Sequence, residues 1–357
     1  MPATDSKPPA WRLIEASAPC RVDLGGTFDL STFSYPLAPL SPLTFNIAVD
    51  LRTRVRLRPH AAGRVRVSST GFESAEFDAA RAPYDHPLGL MFAVAAHFGA
   101  SGIAIEIESA SPPRSALGGS SVAAVALVAA LDALGRRTGG VRPSGRGPAA
   151  VALTAHGIEE GVLRMPCGYQ DQLAAVYGGV NAWYWRPGAG SLPYVRRTVV
   201  RRARHRRLER RLLLAYCGVP HSSVDINGRW VDGFAAGRRR RLWEEMLACT
   251  RGFVEALADD DIEAAVGFMR REMALRREVT PDVLDDTGRL LADAAVEAGC
   301  AARFTGAGGG GCLWALGRAA NIDRLQQTWE SIVSSRGDAR LLPPTVAARG
   351  VAIDVKA

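Results

Sequence analysis

The first part of the chain alternates apolar and polar residues, the pattern of β-strands that pack one face on a core. Residues 102–109 (GIAIEIES) alternate throughout, residues 43–60 (LTFNIAVDLRTRVRLRPH) and 63–70 (GRVRVSST) contain stretches of alternation, and residues 11–26 have a β-like pattern. Because side chains along a strand point to opposite faces at every second position, these segments predict half-buried strands.

Other segments place apolar residues at helical spacing. Residues 88–99 (LGLMFAVAAHFG) predict a helix that ends at Gly99, and residues 150–164 predict a helix that Pro166 stops. Residues 122–135 (VAAVALVAALDALG) are apolar on nearly every side. A helix without a polar face needs protein around it, so this segment predicts a fully buried helix.

The second half of the chain predicts more strands and helices around a glycine-rich loop. A basic stretch, residues 196–211, precedes an apolar strand, and we expect a domain boundary within this stretch. The expected parts of the chain are a disordered leader, residues 1–10, a first domain, residues 11–205, and a second domain, residues 206–357. The other predicted elements are a loop at 135–149, a helix at 170–179, a strand at 180–185, helices near 234–258, 261–278, 281–299 and 322–337, and strands on both sides of loop 305–311 and at 350–355. This mixture with hairpin-like strands predicts an α+β fold.

Composition narrows the function classes. The 357 residues are 47% hydrophobic and 22% charged, which is typical of a globular protein rather than a disordered one. The six cysteines form no CxxC pair and the six histidines no HExxH motif, so neither a disulfide framework nor an all-protein zinc site is expected. No apolar run is long enough to span a bilayer, and the first residues lack an apolar signal core, so we expect a soluble cytoplasmic protein.

Positive charge favours anionic partners. The formal net charge is +8, and Lys7 and Lys356 are the only lysines among 44 basic residues, so the rest are arginine. Nucleic acid, a membrane surface or a phosphorylated metabolite would each suit such a surface. The stretch 196–211 lacks the interleaved aromatic residues of a single-strand binding platform. It predicts a solvated face, an electrostatic nucleic-acid contact or arginines that hold a phosphate already on a substrate.

The segment SPPRSALGGSS (111–121) opens the predicted buried helix with small residues. The free N–H groups and the dipole of a helix N-terminus bind phosphate when small residues let it approach the backbone. Ser120 and Ser121 add hydroxyls for phosphate or Mg²⁺. The segment is not a Walker A loop, because the lysine of that motif is absent. A plain turn with a serine cap is the alternative.

The segment ARFTGAGGGGCLWAL contains a second glycine cluster. Gly306, Gly308 and Gly311 satisfy the G-x-G-x-x-G pattern, but a predicted strand follows them where a dinucleotide fold needs a helix. Consecutive glycines between apolar strands predict a close approach of the backbone to a ligand or to another element. A hairpin loop is the alternative.

The segment 156–179 carries candidate carboxylates. Pro166 and Gly168 predict a turn that places Asp171 in the first helical turn, where the helix dipole favours its ionised form. Such an aspartate can accept the proton of a hydroxyl group. Glu159 and Glu160 lie on the preceding helix, and one of them could supply an oxygen ligand for Mg²⁺. A helix cap and a solvated helix face are the alternatives.

Taken together and in order, APCRVDLGGTFDL (18–30), PPRSALGGSS (112–121) and FTGAGGGGC (304–312) resemble the three motifs of the GHMP kinase superfamily. The resemblance runs over nearly the whole chain. Within the superfamily, RVDLGGTFDL and GYQDQLAAVYGG are most similar to the sugar-1-kinases, among them the D-glycero-D-manno-heptose 7-phosphate kinases and the L-fucokinase kinase domain. The resemblance implies a two-domain α+β GHMP kinase fold. A ribosomal-protein-S5-like ATP-binding and catalytic domain would span residues 11–205, and a ferredoxin-like domain residues 206–357.

The resemblance also implies roles for individual residues. Asp171 and Arg21 match the catalytic pair, and Ser120 and Glu159 match the Mg²⁺ ligands. The ATP-binding positions are Pro113, Ser115, Ala116, Leu117, Gly118, Gly119, Ser120 and Ser121. The substrate-binding positions are Asp29, Gly26, Thr27, Gly168, Gln170, Gly308 and Gly309. The chain departs from the second motif at Ala116 and Gly119, where the family has a glycine and a serine.

The implied reaction is the ATP- and Mg²⁺-dependent phosphorylation of a sugar or sugar phosphate at its anomeric hydroxyl, without nucleic-acid or membrane partners and with a homodimer as one expected assembly. His221, Ser222 and Asn227 are further candidate sugar contacts. Three alternatives stay open: another GHMP kinase of the fucose, galactose, homoserine or mevalonate type, a non-catalytic sugar-binding regulator on the same fold, and a polyanion-binding protein that uses the arginine stretch.

Overall fold

The fold was obtained as a computed structural model, and it describes residues 11–139, 141, 144–145, 147–163, 166–188, 190–220 and 223–356. The predicted leader, residues 1–10, and the candidate sugar contacts His221 and Ser222 lie outside the described residues.

One large sheet forms the first half of the molecule. Its strands are β1 (Leu13–Leu24), β2 (Leu43–Pro59), β3 (Arg64–Ser69), β4 (Ala75–Asp78), β5 (Ile103–Ser109), β6 (Val180–Trp185), β7 (Tyr194–Val200) and β12 (Ala352–Lys356). The order along the sheet is β12-β1-β2-β5-β3-β4, and the far end of β2 also pairs with β6, which pairs with β7. β3 and β5 are parallel and the other pairs are antiparallel. The strands predicted from alternation are confirmed.

Five helices accompany this sheet: α1 (Ser31–Ser34), α2 (Gly89–His97), α3 (Gly119–Thr138), α4 (Pro148–Leu163) and α5 (Gln170–Tyr177). α3 is buried along most of its length, as its apolar sequence predicts. Within the described residues it is the one helix whose length and composition would suit a membrane span, but 78% of that window is buried inside the protein. It is therefore the core helix of this half.

A second, four-stranded sheet has the order β11-β8-β10-β9. Its strands are β8 (Leu212–Tyr216), β9 (Ala301–Phe304), β10 (Cys312–Leu316) and β11 (Arg340–Leu342). The remaining helices are α6 (His205–Glu209), α7 (Ser223–Ala235), α8 (Arg240–Ala258), α9 (Ile262–Val279), α10 (Asp286–Glu297) and α11 (Ala319–Ser334). The α+β class is confirmed. The boundary at 205/206 stays a prediction, and β12 at the end of the chain returns to β1 of the first sheet.

Some elements differ from the expectation. α1, β4, β7, α6, α7 and β11 were not predicted, and the helix expected from residue 234 begins at Arg240 after a turn. The loop expected at 135–149 is shorter, since α3 continues to Thr138 and α4 begins at Pro148.

Aromatic side chains join the two halves beneath the segment that follows β1. Phe33 packs against Phe234 of α7 and Trp243 of α8, with ring centroids 4.4 and 4.7 Å apart. Phe28 meets Trp243 edge-on at 6.4 Å. Because these rings are buried, they fix the path of residues 25–37 against the second half.

Candidate active site

A cavity of about 740 Å³ lies between the two halves, and most of the predicted site residues line it. Its walls come from the loop before α3, the turn before α5, the segment after β1 and the start of the glycine loop after β9. The predicted residues on its surface are Arg21, Gly26, Thr27, Asp29, Pro113, Ser115, Ala116, Gly118, Gly119, Ser120, Ser121, Glu159, Gly168, Gln170 and Asp171. Asn227 of α7 lines it as well.

Asp171 and Arg21 form a close ion pair at the cavity wall. The Arg21 Nε lies 2.7 Å from Asp171 Oδ1, although the two residues are 150 positions apart in sequence. Arg21 is buried in β1 and also donates from Nη1 to the carbonyl of Ala116 at 2.6 Å. Burial raises the pKa of Asp171, and the Arg21 guanidinium opposes that rise. The Asp171 side chain keeps 20% of its surface exposed, so it can meet a ligand in the cavity.

Gly118 brings the start of α3 against Asp171. It is the N-cap of α3 with φ +80, and a Cβ there would stand 2.9 Å from Asp171 Oδ2. A side chain would be strained at this φ and would crowd the carboxylate, which explains the glycine. The carboxylate therefore lies beside the free N–H groups of a helix N-terminus.

Glu159 of α4 accepts three hydrogen bonds at the other side of this helix start. Ser121 Oγ and Ser120 Oγ donate to its Oε1 at 2.9 and 3.3 Å, and Gln172 Nε2 donates to its Oε2 at 2.7 Å. Burial raises the pKa of Glu159 to about 7, against the effect of these hydrogen bonds. Its neighbour Glu160 is exposed, so Glu159 is the glutamate that faces the cavity.

The residues present fit a Mg²⁺ ion that shares its coordination with phosphate and water. A hydroxyl and a carboxylate oxygen, from Ser120 and Glu159, are hard ligands placed together at the cavity surface. No group of three or more His, Cys, Asp or Glu side chains that could hold a metal occurs in the described part of the chain. Mg²⁺ commonly binds through one or two carboxylates plus substrate phosphates, so a sparse donor set suits it.

Asp29 supplies a third carboxylate. Its Oδ2 accepts a hydrogen bond from the Gln170 backbone N–H at 3.2 Å, and burial raises its pKa to about 6. The turn before α5 passes so close that a Cβ on Gly168 would lie 1.8 Å from Asp29 Oδ2. His156 holds the same turn, because it stacks on Tyr169 at 3.7 Å.

A row of charged residues, buried except for the partly exposed Asp171, runs from the Asp171–Arg21 ion pair into the second half of the molecule. We call it the buried ion chain: Asp171, Arg21, Asp23, Arg303, Glu272 and Arg276. Asp23 Oδ1 lies 3.6 Å from Arg21 Nη1, and its Oδ2 lies 3.1 Å from Arg303 Nη1. Arg303 Nε reaches Glu272 Oε2 at 3.0 Å, and Glu272 Oε1 lies 2.8 Å from Arg276 Nε. The charges of these six residues alternate in sign, so each charged side chain lies beside one of opposite charge.

The buried ion chain contacts two loops of the site, the segment after β1 and the glycine loop after β9. Arg276 Nη2 donates to the carbonyl of Gly26 at 2.7 Å, and its guanidinium packs over Trp230 and Trp243. Asp23 Oδ1 accepts from the Gly306 N–H at 2.7 Å. Four members of this ion chain were not predicted from the sequence: Asp23, Glu272, Arg276 and Arg303. Two of them could have been found from the sequence, because Asp23 in β1 and Arg303 in β9 are charged residues within apolar strand segments.

Three predicted residues do not line the cavity. The Leu117 side chain is fully buried, and its backbone carbonyl accepts a hydrogen bond from the Arg21 N–H at 3.2 Å. Gly308 and Gly309 pack against Val283: a Cβ on Gly308 would lie 2.6 Å from its carbonyl, and the Gly309 N–H donates to that carbonyl at 2.8 Å. The cavity is closed on this side by Gly306 and Ala307 instead.

The loop before α3 contains two non-glycine residues in the left-handed region. Arg114 has φ +52 and Ala116 has φ +59. Ala116 packs toward the glycine loop, since a Cβ on Gly311 would lie 2.9 Å from its methyl group. The substitution of alanine for the motif glycine is therefore accommodated by glycine on the facing loop.

Part of the arginine stretch is engaged within the fold. Arg207 and Arg211 pair with Asp260, each at 2.7 Å, and Arg204 donates to the carbonyl of Ala258. Arg196 stacks over the Tyr177 ring at 4.4 Å. None of the stretch belongs to the cavity wall.

Comparison with known proteins identifies the fold. The model for the family "GHMP kinases N terminal domain" matches residues 86–179. Among solved structures, Lactococcus lactis galactokinase, complexed with galactose, has 16% identity and a TM-score of 0.73, and 95% of each chain is covered. A D-glycero-D-manno-heptose 1-phosphate kinase from Bacteriodes thetaiotaomicron has 15% identity and a TM-score of 0.67, covering 96% of this chain and 98% of that one.

Streptococcus pneumoniae phosphomevalonate kinase, in complex with phosphomevalonate and AMPPNP, has 15% identity and a TM-score of 0.69, covering 96% of this chain and 99% of that one. No curated protein matches this chain in sequence. At these identities the structures establish the fold, and the family match supports a phosphotransferase. Residues 86–179 therefore match the GHMP kinase N-terminal domain, and the chain as a whole has the two-domain fold of the GHMP kinase structures.

Proposed function

We propose that the protein transfers the terminal phosphoryl group of ATP to the anomeric hydroxyl of a sugar or sugar phosphate. The hydroxyl oxygen forms a bond to phosphorus, the bond to the ADP oxygen breaks, and the hydroxyl proton leaves, which gives a sugar 1-phosphate and ADP. One observation carries the proposal: the Asp171 carboxylate faces the same cavity as the start of α3 and the Asp29 carboxylate.

Asp171 would accept the proton of the attacking hydroxyl. Its raised pKa makes it a stronger base than an ordinary aspartate, while Arg21 at 2.7 Å keeps it oriented. Arg21 also places positive charge beside the reacting groups, where negative charge must be stabilised during phosphoryl transfer.

The start of α3 would bind the ATP phosphates through backbone N–H groups at Gly119 and Ser120. Ser120 and Glu159 would hold Mg²⁺, which when bound neutralises phosphate charge and orients the phosphates. The apolar part of the cavity, with Phe72, Leu88 and Met91, offers a surface for the nucleotide base.

Asp29, Gln170 and Asn227 present polar groups on the acceptor side of the cavity, which suits a ligand with several hydroxyls. The similar galactokinase structure contains galactose, and another similar structure is a heptose 1-phosphate kinase. We therefore favour a sugar, with a D-glycero-D-manno-heptose 7-phosphate type of acceptor first. A supply of ATP favours a cytoplasmic location, and a homodimer remains an expectation from the resemblance.

The test is ADP release with Mg·ATP against a panel of heptose 7-phosphate, mannose, fucose, galactose, glucuronate and mevalonate. We expect release with one sugar class and its loss in Asp171→Asn, which keeps the size of the side chain but removes the base. Release with mevalonate alone would favour another GHMP kinase. Silence with intact sugar binding would favour a non-catalytic regulator, and salt-sensitive binding that ignores sugar identity would favour a polyanion-binding protein.

A further inference from the structure

We propose that Arg114 binds a phosphate group of the ligand in the cavity and that the loop before α3 keeps it in a strained backbone conformation for this purpose. The inference rests on the proposed function, because it requires a phosphorylated ligand there. It adds a second positive charge to the site, at a position outside the predicted ATP-binding residues.

The first observation is the backbone of Arg114. Its φ of +52 lies in the left-handed region, which costs an L residue with a Cβ roughly 1–2 kcal/mol compared with the right-handed region. Glycine would relieve this strain, and arginine has no short side chain to compensate it locally. Strained residues that persist in a fold are concentrated at ligand sites. We therefore infer that the Arg114 side chain has a role in binding a ligand.

The second observation is the balance of charge around the cavity. Among the described residues that line it, the carboxylates are Asp29, Glu159 and Asp171, and the cationic side chains are Arg21 and Arg114. Arg21 is buried and already bound to Asp171 and to Asp23. A nucleotide or a sugar phosphate brings further negative charge, which Arg21 alone cannot offset.

Arg114 is the uncommitted cation in this set. It is exposed on the cavity wall and makes no hydrogen bond, ion pair or ring contact with any residue that the structure describes. It lies four residues before Gly118, the N-cap of α3, so it stands at the rim of the helix start that would bind phosphate. A guanidinium can bind a phosphate by donating two parallel hydrogen bonds to it.

The experiment compares Arg114→Gly and Arg114→Lys with a matched control, Arg239→Gly. Arg239 is also an exposed arginine with positive φ, at +56, but it is the N-cap of α8 and lies outside the cavity. The control therefore removes the same charge at the same kind of backbone. Arg114→Gly is expected to melt no lower than the wild type, so a loss of binding in that variant would not come from unfolding. Arg239→Gly also loses the hydrogen bond that Arg239 Nη1 donates to the Glu278 carbonyl, so it controls for any small loss of stability as well.

Binding is measured by titration calorimetry with Mg·AMPPNP, adenosine, D-glycero-D-manno-heptose 7-phosphate and mannose. Because a hydrogen bond to a charged group is worth more than a neutral one, we expect Arg114→Gly to weaken Mg·AMPPNP binding about 10- to 100-fold, with adenosine unchanged. Arg114→Lys should recover part of the loss, and the loss should shrink at high salt. Arg239→Gly should bind like the wild type.

The outcomes separate the sources of the phosphate. A loss for Mg·AMPPNP but not adenosine assigns Arg114 to the nucleotide, and a loss for the heptose phosphate but not mannose assigns it to the acceptor. Unchanged affinity for both phosphorylated probes in Arg114→Gly overturns the inference and leaves the proposed function intact. Wild-type protein that binds neither phosphorylated probe overturns the proposed function and this inference with it.

Discussion

Replacing Glu159 by glutamine is expected to stabilise the protein in the absence of ligands. Burial raises the pKa of this carboxyl group from 4.5 to about 7, although Ser120, Ser121 and Gln172 donate hydrogen bonds to it. The folded protein therefore holds a proton at this site more tightly than the unfolded chain does. The free energy of unfolding of the wild type therefore falls as the pH rises from the pKa of this group in the unfolded chain to its pKa in the folded protein. Above the folded-state pKa this loss of stability is complete.

The magnitude follows from the two pKa values. The interval between 4.5 and about 7 corresponds to about 3 kcal/mol, at about 1.4 kcal/mol for each pH unit. The entropy of unfolding is about 2.1 cal/mol/K for each residue. For 357 residues that unfold together, the cost equals about 4 °C of melting temperature.

The structure offers a way to accommodate the glutamine. The Gln172 Oε1 is buried and has no hydrogen-bond partner among the described residues. If the Gln172 amide turns over, this oxygen can accept from the new amide at position 159, while Ser120 and Ser121 continue to donate to its oxygen.

The assay is a thermal melt of wild type, Glu159→Gln and Glu160→Gln at pH 5 and pH 8, without nucleotide or metal. We expect Glu159→Gln to melt above the wild type at pH 8 and to lose most of that gain at pH 5. Glu160 is exposed, so Glu160→Gln serves as the matched control and should show no such pH-dependent gain. A Glu159→Gln variant that melts below the wild type at pH 8 would refute the reasoning, because the hydrogen bonds to the carboxylate would then outweigh its desolvation.

Two further substitutions test the supports of the site. Gly168→Ala should abolish turnover with little loss of secondary structure by circular dichroism, because its Cβ would fall 1.8 Å from Asp29 Oδ2 and displace that carboxylate; full activity would show that Asp29 is not needed where it lies. Glu272→Gln should lower the free energy of unfolding in urea by about 3–5 kcal/mol, since it leaves Arg303 and Arg276 buried beside a neutral group. A change below about 1 kcal/mol would mean that water reaches the buried ion chain.

The regular elements could be predicted because their patterns are local. β5 alternates, β2 alternates over most of its length, and the central part of α3 is apolar on nearly every side, so the local sequence indicates which residues are buried. α7 was missed although Ile226, Trp230 and Phe234 recur at helical spacing, because two glycines and several polar residues lie between them and lower the helix propensity. Its helix is supported by contacts that are distant in sequence, such as Phe234 against Phe33.

The candidate site was predictable only in part. The three motifs gave part of the cavity wall, and of the two neighbouring glutamates Glu159 lies on that wall. The position of Gly308 and Gly309 against Val283 could not be inferred, because a run of glycines does not say what it approaches. The pairing of Asp23 with Arg303 joins residues 280 positions apart, and no periodicity in the sequence records such a contact.

The most direct test of the central claim is the position of the new phosphate in the product. With the acceptor that the ADP-release panel selects, ³¹P NMR of the wild-type reaction should show a sugar 1-phosphate, and Asp171→Asn should form none while it still binds Mg·AMPPNP. A phosphate on another hydroxyl would contradict the anomeric assignment. Undiminished turnover by Asp171→Asn would contradict the role of Asp171 as the base, and with it the account of this cavity as a kinase active site.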